Sequence, residues 1–282
     1  MPNGGNWEGP GAPDVRTPPG EREFRIAADG VYLKLGGRKV FQGLTCGFFR
    51  GQISVVLGGS GAGKSTLLRM IGGLTRPDRG TIRVAGVDVS RLPERQLYRV
   101  RDRIGMLFQH GALLDSMTVF ENVALPLREH SQLSESEIEA EVMRRLNSVG
   151  LENVERLYPR ELSGGMNRRA ALARAIVKDP EIVLVDEPFS GLDPINVRRI
   201  EALLTQLNQE LGITLVVTSH HLASSLRMSH RIVFMVDGRA LSGTPDDLLH
   251  SDDQRVVQFL EAEKNQSTEA YVSAIHAGGG AG

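Results

Sequence analysis

"GGSGAGKST", Gly58 to Thr66, comes directly after the apolar run "ISVVL", Ile53 to Leu57, and ahead of a helical pattern from Lys64 to about Ile71. The stretch satisfies G-x-x-x-x-G-K-[ST] in the strand, turn and helix context that the pattern requires. Its turn residues, Gly58, Gly59, Ser60, Gly61, Ala62 and Gly63, let successive backbone N–H groups curl around an anion, and the helix that follows adds its positive end. Lys64 can reach β- and γ-phosphates; the hydroxyl of Ser65, beside Thr66, can ligate Mg²⁺. A glycine-rich turn with an incidental lysine does not account for the flanking order. The stretch predicts a phosphate site on an α/β fold.

A second stretch, "EIVLVDEPFSGLDP" from Glu181 to Pro194, runs four apolar residues into adjacent carboxylates, Asp186 and Glu187. Two like charges at one spot are costly unless a cation sits between or before them. The phosphate loop supplies that setting. Asp186, ending its strand, is placed to hold magnesium directly or through water, and Glu187 to orient and deprotonate the water that attacks the γ-phosphate.

The 282-residue chain carries 33 basic and 34 acidic side chains and is 40% hydrophobic. Charges that nearly cancel give no global field for nucleic acid or an anionic membrane. The single Cys46 cannot form an internal disulfide, which fits a reducing compartment. Runs such as "ISVVL" and "ITLVV" (Ile213 to Val217) fall far short of the roughly 20 apolar residues of a membrane span. The Pro- and Gly-rich start, "MPNGGNWEGPGAPDVRTPPG", has no apolar core of a secretory signal and reads as a disordered tail.

Short apolar runs alternating with helical patterns predict a largely parallel sheet. Strands are expected at Ile53–Leu57, Arg103–Phe108, Ile182–Val185, Ile213–Val217 and Arg231–Val236, the last turning at "DG", with a peripheral hairpin over Thr81–Val89. From about Leu114 to Leu162 the texture is helical. Ser134 and Glu137 form a capping box, Ile138, Val142, Leu146 and Val149 share a face, and Gly150 stands where a C-terminal cap belongs. Ile200, Leu203, Leu204, Leu207 and Leu211 line one side of a long helix.

"LSGGM", Leu162 to Met166, precedes the helical run "NRRAALARAI". With the phosphate loop and the Asp186–Glu187 pair, it makes the chain resemble the nucleotide-binding domains of ABC transporters over about Phe24 to His250. Further elements fall in family order: Gln109 of "MLFQHG", "SGLDP" at Ser190 to Pro194, and His220 of "TSHH". The resemblance implies a P-loop NTPase core of RecA-like type, an antiparallel β subdomain and an inserted α-helical subdomain. It implies residues 1–22 as a tail, 23–250 as the domain with the helical part at about 110–165, and 251–282 as a C-terminal helix and flexible tail. It also implies an ATPase using Mg²⁺. Gln109 would sense metal and attacking water, His220 would steady the γ-phosphate, and Ser163, Gly164 and Gly165 would present a second anion-binding helix end to ATP on a partner chain. Asp193 would link the two sites of a head-to-tail dimer. Leu35 stands about where an aromatic usually stacks on adenine, so the base rests on Leu35, on Tyr32, or with little stacking. Met166 and His221 replace the usual glutamine and acid at their positions.

The segment Gly105 to His130, "GMLFQHGALLDSMTVFENVALPLREH", together with "LSGGMNRRAALARAI", resembles the ATPases of Mla/Mce-type lipid transporters. That resemblance implies phospholipid or related lipid movement between inner membrane and outer envelope, at the cytoplasmic face of the membrane. Partners would be an integral membrane permease, an Mce-type lipid-binding protein and, in some systems, a STAS-domain subunit, but no nucleic acid. The surface around His110 to Glu121 is expected to seat a permease helix, and "DQRVVQFLEAEK" to form an amphipathic helix packing on its own domain or on a partner. Two alternatives stand: an importer ATPase for a polar solute, and a soluble ABC protein acting on nucleic acid or ribosomes. The latter usually carries two such domains, coiled coils or basic extensions, absent here. A kinase reading lacks a phosphoacceptor module.

Overall fold

The computed structural model describes residues 24–109 and 111–263; the expected N-terminal tail, His110 and the chain beyond Glu263 lie outside it. The described strands make two sheets. The larger has the order β10 (Arg239–Gly243), β9 (Arg231–Val236), β3 (Ile53–Leu57), β8 (Thr214–Thr218), β7 (Ile182–Asp186), β6 (Ile104–Leu107). All neighbours are parallel except the β9–β10 hairpin. That hairpin turns on Asp237 and Gly238, both at positive φ (52° and 71°), the backbone that a two-residue hairpin with asparagine or aspartate and glycine adopts.

Every residue of β3, β7 and β8 is buried, as expected of parallel strands covered on both faces. Alternate side chains go to opposite layers. Val55, Leu57, Val183, Val185, Leu215 and Val217 join the cluster under the helical side, whereas Val56, Leu184 and Val216 meet α1 (Lys64–Ile71) and the smaller sheet. That smaller sheet is antiparallel, in the order β2 (Arg38–Phe49), β1 (Phe24–Leu35), β4 (Arg79–Val84), β5 (Val87–Asp88). The peripheral hairpin predicted from alternation is β4–β5 at its edge.

The helical insertion consists mainly of α3 (Val119–His130), α4 (Glu135–Ser148) and the start of α5 (Gly164–Ile176), after α2 (Glu94–Arg101). The Ser134–Glu137 capping box opens α4, and a second one, Thr118–Glu121, opens α3. Ile138, Val142, Leu146 and Val149 are all buried. Gly150 takes positive φ just past the end of α4 and its N–H bonds Asn147 O. Downstream come α6 (Pro194–Leu211), capped by Asp193, then α7 (Leu222–Met228) and α8 (Pro245–Leu249). A closing helix, 254–263, buries Val256 and Leu260 and sets Phe259 against Phe234 with ring centroids 5.0 Å apart. It packs on its own domain.

Candidate nucleotide site

The C-terminal ends of β3, β7 and β8 converge, and ligands of open α/β sheets bind outside such ends. β3 delivers the chain into the loop at Gly58, whose φ of 151° brings it beside β9; a Cβ there would meet Met235 O at 2.5 Å. At Gly63, φ is 98°, and a Cβ would strike Phe41 at 2.7 Å. These two positions need glycine for close backbone approach and for a left-handed turn into α1. The Lys64 ammonium, buried, donates to Gly58 O (2.9 Å) and Gly59 O (3.4 Å), and lies 3.3 Å from a Glu187 carboxylate oxygen.

The adjacent acids face different partners. Asp186 Oδ1 accepts from Ser65 Oγ at 2.9 Å and from Thr218 Oγ1 at 2.6 Å. Glu187 points one carboxylate oxygen at Lys64 and the other at His220 Nδ1, 2.7 Å away. Like charges in adjacent positions are thus separated, one among hydroxyls and one between a cation and an imidazole. The Glu187 N–H is held by Thr218 O (3.2 Å) and Thr218 Oγ1 (3.0 Å), and its C=O accepts from the buried Arg168 at 2.9 Å. Arg168 also donates to Ser190 O at 3.0 Å, so α5 clamps the loop after β7. His221, beside His220, is held below the usual imidazole pKa, first by burial and then by its histidine neighbour.

Leu35, Gly58 to Thr66, Gln109, Glu187 and His220 line one open cavity of about 860 Å³, with Arg38, Val40, Phe259, Ala262 and Glu263. Asp186 sits behind it through Ser65. Tyr32, offered as an alternative base contact, lines a separate depression with Lys34, Lys39 and Arg79. Ser163, Gly164, Gly165 and Asp193 do not line the cavity. Ser163 Oγ instead accepts from Met166 N (3.3 Å) as the N-cap of α5, and Asp193 caps α6 through Ile195 N and Asn196 N, each 3.0 Å.

Sequence reasoning did not single out Arg38, which donates to Gly61 O at 3.3 Å, nor Thr218 or Arg168, and it expected the closing helix without placing it at the cavity rim. Thr218 and Arg168 stand inside quoted motifs, "TSHH" and "NRRAALARAI", where their neighbours drew attention; Phe259 belongs to the expected amphipathic helix with no signal that it reaches the cavity, and Arg38 carries no motif. For magnesium, the Ser65 hydroxyl and Asp186 carboxylate form a hard oxygen set that fits the ion. Among the described residues no group of three or more His, Cys, Asp or Glu is arranged to hold a metal.

A glycine loop, a buried lysine and a carboxylate pair at the ends of a parallel sheet define a P-loop nucleoside triphosphatase. The profile of the ABC transporter family matches residues 41–190. The chain is 44% identical over 241 residues to "Intermembrane phospholipid transport system ATP-binding protein MlaF" of Haemophilus influenzae, covering 85% of this chain and 91% of that protein. The same-named protein of Escherichia coli K12 is 44% identical over 232 residues, 82% and 86% of the two chains. "Probable ribonucleotide transport ATP-binding protein mkl" of Mycobacterium tuberculosis is 37% identical over 270 residues, 90% and 75%. Among solved structures, a dimeric ATP-binding cassette in a post-hydrolysis state with ADP and Pi superposes with a TM-score of 0.72 at 30% identity, covering 78% of this chain and 98% of that one. The cassette cbiO1 of Clostridium perfringens, part of the ABC transporter complex cbiONQ, gives 0.74 at 26% identity, covering 89% and 99%. The chain belongs to the ABC transporter family and is an ATP-binding ATPase of that family. Among the described residues no helix is long and apolar enough to cross a membrane.

Proposed function

We propose that this protein is the ATP-hydrolysing subunit of a transporter that moves phospholipids or related lipids between inner membrane and outer envelope, working at the cytoplasmic face of the inner membrane. The observation that carries the reading is 44% identity over 85% of the chain to a phospholipid-transport ATP-binding protein, combined with a complete phosphate site. The mycobacterial relative's name supports a second reading, transport of a polar solute.

ATP phosphates lie along the Gly58–Thr66 loop, and the Lys64 ammonium turns from Gly58 O and Glu187 to the β- and γ-phosphates. Glu187 accepts the proton of the attacking water, with His220 holding its carboxylate and steadying the γ-phosphate. Gln109, at the cavity wall, positions that water. Ser65 and Asp186, with Gln109 nearby, hold Mg²⁺, which when bound offsets the phosphate charge. Leu35 with Val40 forms the apolar wall for the base.

Ser163, Gly164, Gly165 and Asp193 act on a second copy. Their separation from the cavity of their own chain, and the dimeric state of a relative 30% identical, support a head-to-tail pair with two ATP between the chains. An integral membrane permease and an Mce-type lipid-binding protein complete the assembly, to which some such systems add a STAS-domain subunit. The permease sits on the exposed surface that includes Leu114 (42% exposed) and the groove beside it, lined by Tyr98, Phe108, Leu125 and Pro126.

The test is purification of the protein from its own membranes, then reconstitution of the complex with labelled phospholipid. ATP-dependent lipid movement that stops in Glu187→Gln supports the reading. Robust ATPase activity in Glu187→Gln removes the assigned base, and ATP-driven movement of a polar solute but no lipid decides for the second reading.

A further inference from the structure

Near α2 the acids are already engaged. Glu94 pairs with Arg101 at 2.5 Å, Asp102 with Lys178, and Glu181 with Arg103 at 2.6 Å. Arg91, Arg95 and Arg99 remain, all exposed, and none of their guanidinium groups makes a hydrogen bond or ion pair to another described residue. Arg95 and Arg99 lie one turn apart on the helix, about 6 Å along its axis, and so project from one flank. Arg91 stands just before Pro93, the N-cap. In a chain of net charge −1, Arg95 and Arg99 on one flank of α2, with Arg91 in the bend that leads into it, form a local cationic patch rather than part of a general field.

Apolar groups accompany the patch. Val87, 37% exposed, and Leu92 share a shallow depression with Arg95 and Arg99. Exposed arginines beside apolar surface match the boundary between headgroups and acyl chains, where guanidinium meets phosphate. Position supports the same partner. Tyr98 and Arg101, on the other flank of α2, line the groove that the proposed function gives to the permease.

We propose that Arg91, Arg95 and Arg99 hold the protein against the phosphate headgroups of an anionic phospholipid bilayer next to its permease. The inference rests on the membrane-transporter reading above and adds a direct lipid contact to it. Basic side chains near an anionic surface each contribute about 1 kcal/mol, roughly fivefold in partitioning, so the three together give on the order of a hundredfold.

The experiment is flotation of the full chain with vesicles of phosphatidylcholine alone or with phosphatidylglycerol, at low and high salt, for wild type and for R91Q/R95Q/R99Q. Solution ATPase activity serves as the control for folding. The expected result is salt-sensitive retention on the anionic vesicles only, lost by about a hundredfold in the triple variant with its ATPase activity intact. Equal partitioning of wild type and variant overturns the proposal, as does arginine-dependent retention on duplex DNA without retention on anionic vesicles. Wild type that ignores both vesicles yet co-purifies with a permease overturns it while leaving the proposed function standing. If lipid retention holds but no permease co-purifies, the transporter reading fails and the lipid contact survives.

Discussion

Glu187 stands at φ 47°, a left-handed conformation that costs a non-glycine residue roughly 1–2 kcal/mol. Thr218 holds its N–H and Arg168 its C=O, so the strain is fixed by groups on two other elements. Thr218→Val removes a buried hydroxyl shared by Asp186 and the Glu187 amide. The expected loss is about 1–3 kcal/mol in denaturant unfolding, with slower hydrolysis. Lys64→Ala should weaken nucleotide binding itself, read by fluorescent-ATP titration, whereas Glu187→Gln should keep binding and lower kcat by about 10²–10⁴-fold. Burial pushes the Cys46 thiol up to about 12, its charge opposed by desolvation against a smaller pull from Arg231. The folded protein should therefore resist iodoacetamide at pH 8 and react only on unfolding; rapid labelling of native protein contradicts the burial.

At the scale of the element, termini carry the information. Ser134→Ala breaks the capping box of α4 and should cost about 1 kcal/mol in a thermal or urea melt, with ATPase activity per folded molecule unchanged. Gly63→Ala should be far more damaging to nucleotide binding than to helix formation, because its Cβ collides with Phe41 and its φ is 98°. Arg145, only 1% exposed, is held by Glu141 at 2.7 Å and by Asp179, which ties α4 to the loop between α5 and β7. Elements with clean periodicity were legible before folding: the α4 stripe, the α6 stripe and the buried runs of β3, β7 and β8. Others were not. Strand β1 has register shifts between Ala28 and Val31 and again after Leu33, which break the period of two. Helix α2 buries only Leu97 and Val100, too few positions to declare a helical stripe.

Across the whole molecule, the closing helix joins the rim of the nucleotide cavity to the hydrophobic core. Truncation before residue 254 strips cover from Phe234 and removes buried Val256 and Leu260. At roughly 1.5–3 kcal/mol for each fully buried aliphatic side chain, the shortened protein should lose several kcal/mol and show a lower melting temperature with a raised KM for ATP. An unchanged melting curve would place the helix outside the cooperative unit.

The sequence alone determined the phosphate loop, the strand-end acids and the parallel-sheet class, because each depends on residues adjacent in the chain and on a conformation that glycine or a buried run imposes locally. Only the tertiary structure decided that Lys64 and His220 bracket Glu187, that Thr218 and Arg168 hold its backbone, and that Phe259 reaches the cavity. Those contacts join segments 19 to 123 residues or more apart, as in Arg168–Glu187 and Lys64–Glu187, and their geometry is fixed by which strands the core places side by side.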